Sequence, residues 1–113
     1  MNKYHAEAIM VDGIRFASKR EWTRYLILKD DLRLGRISRL EVHPHYDFLV
    51  NGYAVGRGYT GDFRYLDREG VEVVEEVKGC AARDWPLRRD LFLALYPSVR
   101  LLVNGKELKR RKS

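Results

Sequence analysis

Along most of the chain, apolar and polar residues alternate in short runs, and only two stretches lengthen into helical spacing. Ala8 to Val11 and Ile14 to Phe16 flank Asp12-Gly13, a pair suited to a tight hairpin turn because glycine accepts positive φ. Ser18 reads as a helix N-cap, and Glu21 completes a capping-box pattern. Trp22, Tyr25, Leu26, Leu28, Leu32 and Leu34 follow on or near one helical face, and Gly35 is a stop. A first helix is therefore predicted over Lys19–Leu34.

Ile37 to Val42 reads as a strand, interrupted by Pro44. Tyr46 to Val50 and Tyr53 to Val55 bracket Asn51-Gly52, a second hairpin signal, and Tyr59 to Leu66 reads as one further strand. The turn Asp67 to Gly70 leads into a strand over Val71–Val77, with Val71, Val73 and Val77 on one face and Gly79 as its close. Arg83 to Tyr96 is helical in pattern, with Leu87, Leu91, Phe92 and Leu95 as its stripe and Pro86 tolerated in the first turn. Pro97 ends it. Val99 to Val103 is a last buried strand, Asn104-Gly105 a turn, and Lys106 to Ser113 a basic tail open to disorder. Without repeat or linker, residues 1–113 read as one domain. Strands followed by a crossover helix and a further strand imply an α/β fold, with a central mixed β-sheet flanked by two helices.

Composition narrows the function classes. The 113 residues carry 45% apolar positions, enough for a core without disulfide or structural metal. Cys80 is the lone cysteine, which rules out an intrachain disulfide and a Cys-based zinc site and favours a reducing compartment. No apolar run approaches the roughly 18 residues of a membrane span, and no basic-then-apolar leader opens the chain. A cytoplasmic protein without membrane contact is expected. Lys and Arg total 22 against 16 Asp and Glu, a net charge of +6 that raises the prospect of a polyanionic partner. Glutamine is absent and only Asn2, Asn51 and Asn104 are asparagines, as either a hot source or a biased genome would produce.

The chemistry concentrates in Gly61-Asp62-Phe63 and Glu75-Glu76-Val77-Lys78-Gly79. Residues two apart on a strand share a face, so Glu76 and Lys78 point the same way. If the Asp62 strand pairs with this one, Asp62 falls beside Glu76. Two carboxylates and a lysine would then converge, and Glu21 adds a third carboxylate if its helix packs over the sheet. A divalent-metal phosphodiesterase needs such a set. Hard oxygens hold Mg²⁺, which activates a bound water, while lysine orients that water or steadies the phosphate. Each residue also has a plainer reading: Glu21 as a capping glutamate, Asp62 as a turn residue, Lys78 as a surface lysine, and Glu72, Glu75 and Glu76 as a solvated strand face. His43 and His45 flank Pro44 and read as surface or DNA-proximal. Trp22 and Trp85 read as core or interface residues.

Asp62, then a hairpin, then Glu76-Val77-Lys78, with the helix-borne Glu21 upstream, resembles the signature of the PD-(D/E)XK nuclease superfamily. The segments Val11–Phe16, Ser18–Glu21, Gly61–Tyr65, Glu75–Gly79 and Leu87–Phe92 resemble small phage-encoded endonucleases over nearly the full length. Size and layout are also similar to archaeal-type Holliday junction resolvases, homodimers that nick four-way junctions symmetrically. The resemblance implies a restriction-endonuclease-like core. It implies catalytic Glu21, Asp62, Glu76 and Lys78, with Mg²⁺ (or Mn²⁺) on Asp62, Glu76 and Glu21. It also implies phosphate contacts by Arg15, Lys19, Arg20, Arg64, Arg88 and Arg89, and a homodimer acting on four-way DNA junctions in a cytoplasm, the host's if phage-encoded. Two departures stand out: Gly61 replaces the usual proline before the first acid, and Arg88 stands where related phage sequences often carry lysine. The alternatives are a nuclease of this class acting on nicked, flapped or duplex DNA, and a non-catalytic nucleic-acid-binding protein.

Overall fold

Turn chemistry sets the local order. Asp12, Asn51 and Asn104 adopt positive φ beside Gly13, Gly52 and Gly105, so three of the expected turns form with the left-handed backbone their sequences favour. The computed structural model describes residues 8–77 and 83–111. Around the first turn, β1 (Ile9–Val11) pairs antiparallel with β2 (Ile14–Phe16). Ser18 then caps α1 (Lys19–Arg33), its Oγ accepting from the Glu21 N–H at 3.2 Å, and Gly35 follows at φ +75°.

Strands β3 (Ser38–Val42), β4 (His45–Tyr46), β5 (Leu49–Val50), β6 (Tyr53–Ala54), β7 (Tyr59–Thr60), β8 (Phe63–Leu66) and β9 (Glu72–Glu76) come next. Helix α2 (Trp85–Leu95) and strands β10 (Arg100–Val103) and β11 (Lys106–Leu108) complete the elements of the described residues. The principal sheet is five-stranded and mixed, in the order β11-β10-β9-β8-β3. Only β9 and β10 run parallel, as the intervening α2 requires; the other neighbours are antiparallel. β4–β7 and β5–β6 form small separate ribbons.

Each face of the sheet carries its own core. Val73 and Val74 are adjacent in sequence yet 2% and 0% exposed, because alternation sends one to each face. On the α1 side, Val73 and Val77 pack with Phe16, Tyr25, Leu28, Phe63 and Tyr65. On the α2 side, Val74 packs with Tyr46, Phe48, Tyr59, Phe92, Leu93, Val99 and Leu101. The fold is α/β, with a mixed sheet and two helices.

Four expectations shift. The strand expected over Tyr59–Leu66 breaks at Gly61-Asp62: β7 pairs with β4, and β8 with β3 and β9. The apolar face of α1 is narrower than its sequence suggests. Glu21, Tyr25 and Leu28 are buried, while Leu26, Leu32 and Leu34 are exposed. In α2 the buried residues are Phe92 and Leu93, and Leu87 is 64% exposed, so the stripe is rotated from the one spacing suggests. Lys106–Leu108, read as part of a basic tail, instead pair with β10 as the edge strand of the sheet. Gly79 and Cys80 lie outside the described residues.

Candidate active site

The β8–β9 register pairs Phe63 with Glu75, which brings Asp62 to the level of Glu76. The break after Thr60 frees Asp62 from strand geometry while both its backbone groups stay bonded. Its N–H donates to the Glu75 carbonyl at 3.0 Å, and its carbonyl accepts from the His43 N–H at 2.9 Å. Its side chain turns across the end of β9, where Oδ2 accepts from the Val77 N–H at 2.7 Å.

Gly61 explains the missing proline. Its N–H donates to the Pro44 carbonyl at 2.9 Å, a bond that proline would lose. A side chain there would also press within 2.8 Å of Val74 Cγ1, next to the Tyr59 ring.

Glu76 closes β9 on the α2 side, where Tyr59 donates its hydroxyl proton to Oε1 at 2.7 Å. The Asp62 carboxyl and, more weakly, that of Glu21 are near enough for their charges to act on Glu76. Burial pushes the Glu76 carboxyl up to about 8, helped by the negative charges of Asp62 and Glu21 and opposed by the Tyr59 bond. Glu21 is itself 8% exposed, and its Oε2 accepts the Ala17 N–H at 3.3 Å, one residue before the cap. Three carboxylates from α1, the β7–β8 break and β9 thus meet at one end of the sheet. Ser18 caps the helix as expected, but the Glu21 carboxylate accepts from the Ala17 N–H and not from that of Ser18, so the reciprocal half of the capping box falls one residue early.

Sequence reasoning missed two groups that hold this cluster. One is Tyr59, whose ring lies against Trp85 and Phe92 at 5.8 and 5.1 Å between centroids. The other is a clamp from α1 onto β9: Arg24 donates to both carboxylate oxygens of Glu75 at 2.7 Å, and Tyr65 donates to the same carboxylate. Glu75 is 4% exposed, so it is not the solvated residue that alternation allowed. The clamp falls one helical turn beyond Glu21 and next to Glu76, and so fixes both. The only sequence signal for it was an arginine inside the otherwise apolar run of α1.

Two clefts border the cluster. One, of about 470 Å³, is lined by Arg15, Ala17, Glu21, His43, Thr60 and Asp62 among others. The larger, of about 760 Å³, lies between α1 and the β10–β11 turn, lined by Lys19, Arg20, Ile27, Glu76, Leu102 and Asn104 among others. Of the expected phosphate-binding residues, Arg15, Lys19 and Arg20 therefore stand at the cluster. Arg64 does not: it pairs with Glu41 and, at 3.9 Å, with Glu72. Arg88 pairs with Asp84 at 2.8 Å, and Arg89 with Asp90 at 3.2 Å. His45 hydrogen-bonds Thr60 Oγ1 at 2.7 Å. Lys78 lies outside the described residues.

No group of three His, Cys, Asp or Glu residues among the described residues forms a ready-made metal cage. The donor chemistry nonetheless fits a hard cation. Asp62, Glu76 and Glu21 offer hard oxygen donors, and burial, with the negative charges of Asp62 and Glu21, raises the Glu76 carboxyl to about 8. Mg²⁺ keeps several of its waters and needs few protein oxygens, so a closed cage is not required.

No helix among the described residues is long and apolar enough to cross a membrane. The chain matches, over residues 1–112, the family described as protein of unknown function, DUF1064, and belongs to it. No curated protein and no solved structure matches it.

Proposed function

We propose that this member of the DUF1064 family is a metal-dependent DNA endonuclease of the PD-(D/E)XK type, with a restriction-endonuclease-like core and a four-way junction as its favoured substrate. The carrying observation is the placement of Asp62 at the level of Glu76 by the β8–β9 register, with Glu21 of α1 near enough for its charge to act on the buried Glu76 carboxyl. Asp62 and Glu76, with Glu21, would hold Mg²⁺ or Mn²⁺. The cation would supply a water acidic enough to attack at neutral pH and would offset charge developing on the phosphate. Tyr59 orients Glu76, and the Val77 N–H orients Asp62. Lys78, which follows Val77 in the chain, is assigned to the attacking water on sequence grounds. Arg15, Lys19 and Arg20 line the adjoining clefts, where phosphates of a bound strand would pass.

Junction preference and a homodimer rest on the sequence resemblance alone. A two-fold dimer would present two equivalent sites to two equivalent strands. The second reading, a DNA-binding protein without catalysis, shares the basic clefts but leaves the carboxylate cluster without a use.

The test is a labelled four-way junction and a matched linear duplex, each incubated with Mg²⁺ or with EDTA, alongside Glu76→Ala. Paired nicks in the junction alone, dependent on metal and lost in the variant, are the expected result. Equal cutting of both substrates would retain the nuclease and remove the junction preference. Binding without any cutting would overturn the catalytic reading.

A further inference from the structure

The larger cleft has a character that phosphate binding alone does not explain. Its floor is apolar, built from Ile27 on the outer flank of α1, Val77 at the end of β9 and Leu102 on β10. Ile27 stands 48% exposed there. Cations gather at the rim: Lys19 and Arg20 belong to the first turn of α1, and Arg20 reaches across to Asn104 Oδ1 at 3.1 Å. Arg24, lining the same wall, is committed to Glu75. Glu76 borders the cleft, so whatever occupies it lies against the carboxylate cluster.

A groove that only tracks a phosphate backbone gains nothing from an aliphatic floor. An apolar floor beneath a cationic rim instead suits an amphipathic group, with a flat uncharged face on one side and an anion on the other. In nucleic acids that group is a nucleotide.

We propose that this cleft is a nucleoside pocket, which takes one unpaired base of the substrate strand, next to the phosphate at the carboxylate cluster. The base lies over Ile27 and Leu102, and its flanking phosphate meets Lys19 and Arg20. Asn104, whose amide already faces Arg20, is placed to meet a base edge. A cleft of about 760 Å³ has room for one nucleotide, and a base can lie on its floor only when unstacked from its neighbours. The inference rests on the nuclease reading for its substrate class and narrows it. The enzyme would act where a nucleotide is unpaired, as at a junction, flap or fray, and would neglect continuous duplex.

Binding is measured in EDTA, where no cleavage occurs, by fluorescence anisotropy with two single-stranded probes of equal length. One is an oligothymidylate; the other is the same backbone with abasic sugars. The full chain is used, as wild type, Ile27→Gln, Ile27→Val and Arg20→Gln. Ile27 is about half exposed on α1, so glutamine there is compatible with folding, which amide spectra of the free variants verify.

Wild type and Ile27→Val should bind the thymidylate about 5- to 10-fold more tightly than the abasic strand, as burying roughly 40 to 55 Å² of base and aliphatic surface provides. Ile27→Gln should abolish that difference and leave abasic binding unchanged, whereas Arg20→Gln weakens both probes alike. Equal binding of the two probes by wild type would overturn the pocket and leave a phosphate groove. Concentration-dependent self-association that Ile27→Gln abolishes, with no base preference, would also overturn it and make the cleft an interface between copies. Cleavage assays are read separately. Absence of base preference in the wild type with intact metal-dependent cutting removes the pocket and spares the nuclease reading. Base preference with no cutting on any substrate does the reverse.

Discussion

Glu76 is where local environment departs furthest from what its residue type implies. Its carboxyl titrates near 8 in the folded protein against an ordinary value of 4.5, chiefly because burial disfavours its charge. Between those values the folded protein holds a proton that the unfolded chain has released. The stabilising contribution of this group is therefore full below about pH 4.5 and is lost as pH rises through about 8. Glu76→Gln keeps an acceptor for Tyr59 and removes the titration. Without divalent cation it should unfold with a flatter dependence on pH and exceed wild type above pH 8, by on the order of 2 kcal/mol. Urea denaturation across that range measures it, and parallel pH profiles of the two proteins would count against the account. Adding Mg²⁺ should raise the wild-type midpoint most at alkaline pH, where no proton need be displaced.

At the scale of elements, α1 packs against β1, β2 and β3 and is tied to β9 through Arg24 and Glu75. Helix α1 offers a narrow apolar seam of Tyr25 and Leu28, and its outward Leu26, Ile27, Leu32 and Leu34 contribute little burial. The Arg24–Glu75 pair, completed by Tyr65, adds a buried charged tie from this helix to β9. Arg24→Leu would leave the Glu75 charge buried without its partner, and a loss of about 3 kcal/mol in unfolding free energy is expected. Combining it with Glu75→Gln should recover part of that loss, since the stranded charge is then gone. Additive losses in the double variant would mean the pair does not act as a unit. Ser18→Ala is a smaller test of the same helix, costing about 1 kcal/mol through the lost cap.

Across the whole molecule, the net charge of +6 is not spread evenly over the residues expected to contact DNA. Arg64, Arg88 and Arg89 each face a carboxylate of this chain, whereas Lys19 and Arg20 sit on the rim of the larger cleft. Phosphate contacts release counterions, so each should contribute about one unit to the salt dependence of DNA affinity. In EDTA, Lys19→Gln and Arg20→Gln should each lower the slope of log K against log salt by roughly that amount, while Arg64→Gln leaves it unchanged. An Arg64→Gln effect equal to that of Arg20→Gln would show that its partners are exchanged for phosphate on binding. Thermal or chemical unfolding of the same variants separates this from loss of fold.

Much of the architecture was legible because its signals are local. The Asp12-Gly13, Asn51-Gly52 and Asn104-Gly105 turns, the Ser18 cap and the strand–helix–strand order at the C-terminal end depend on neighbouring residues and appear where their chemistry puts them. The pairing of Asp62 with Glu76 was also legible, since the turn at Asp67–Gly70 sets the hairpin register that joins them. Long-range contacts decided the rest. Within the strand pattern over Tyr59–Leu66, Gly61-Asp62 is a weak local mark of a break, which is realised because β4 pairs with one half and β3 and β9 with the other. Glu75 reads as a surface residue until Arg24, 51 positions away, meets it, and Tyr59 gains its role only when the chain brings it to Glu76. Alternation and turn propensity are properties of a segment. Burial of a charge, and the partner that makes it tolerable, are properties of the folded whole.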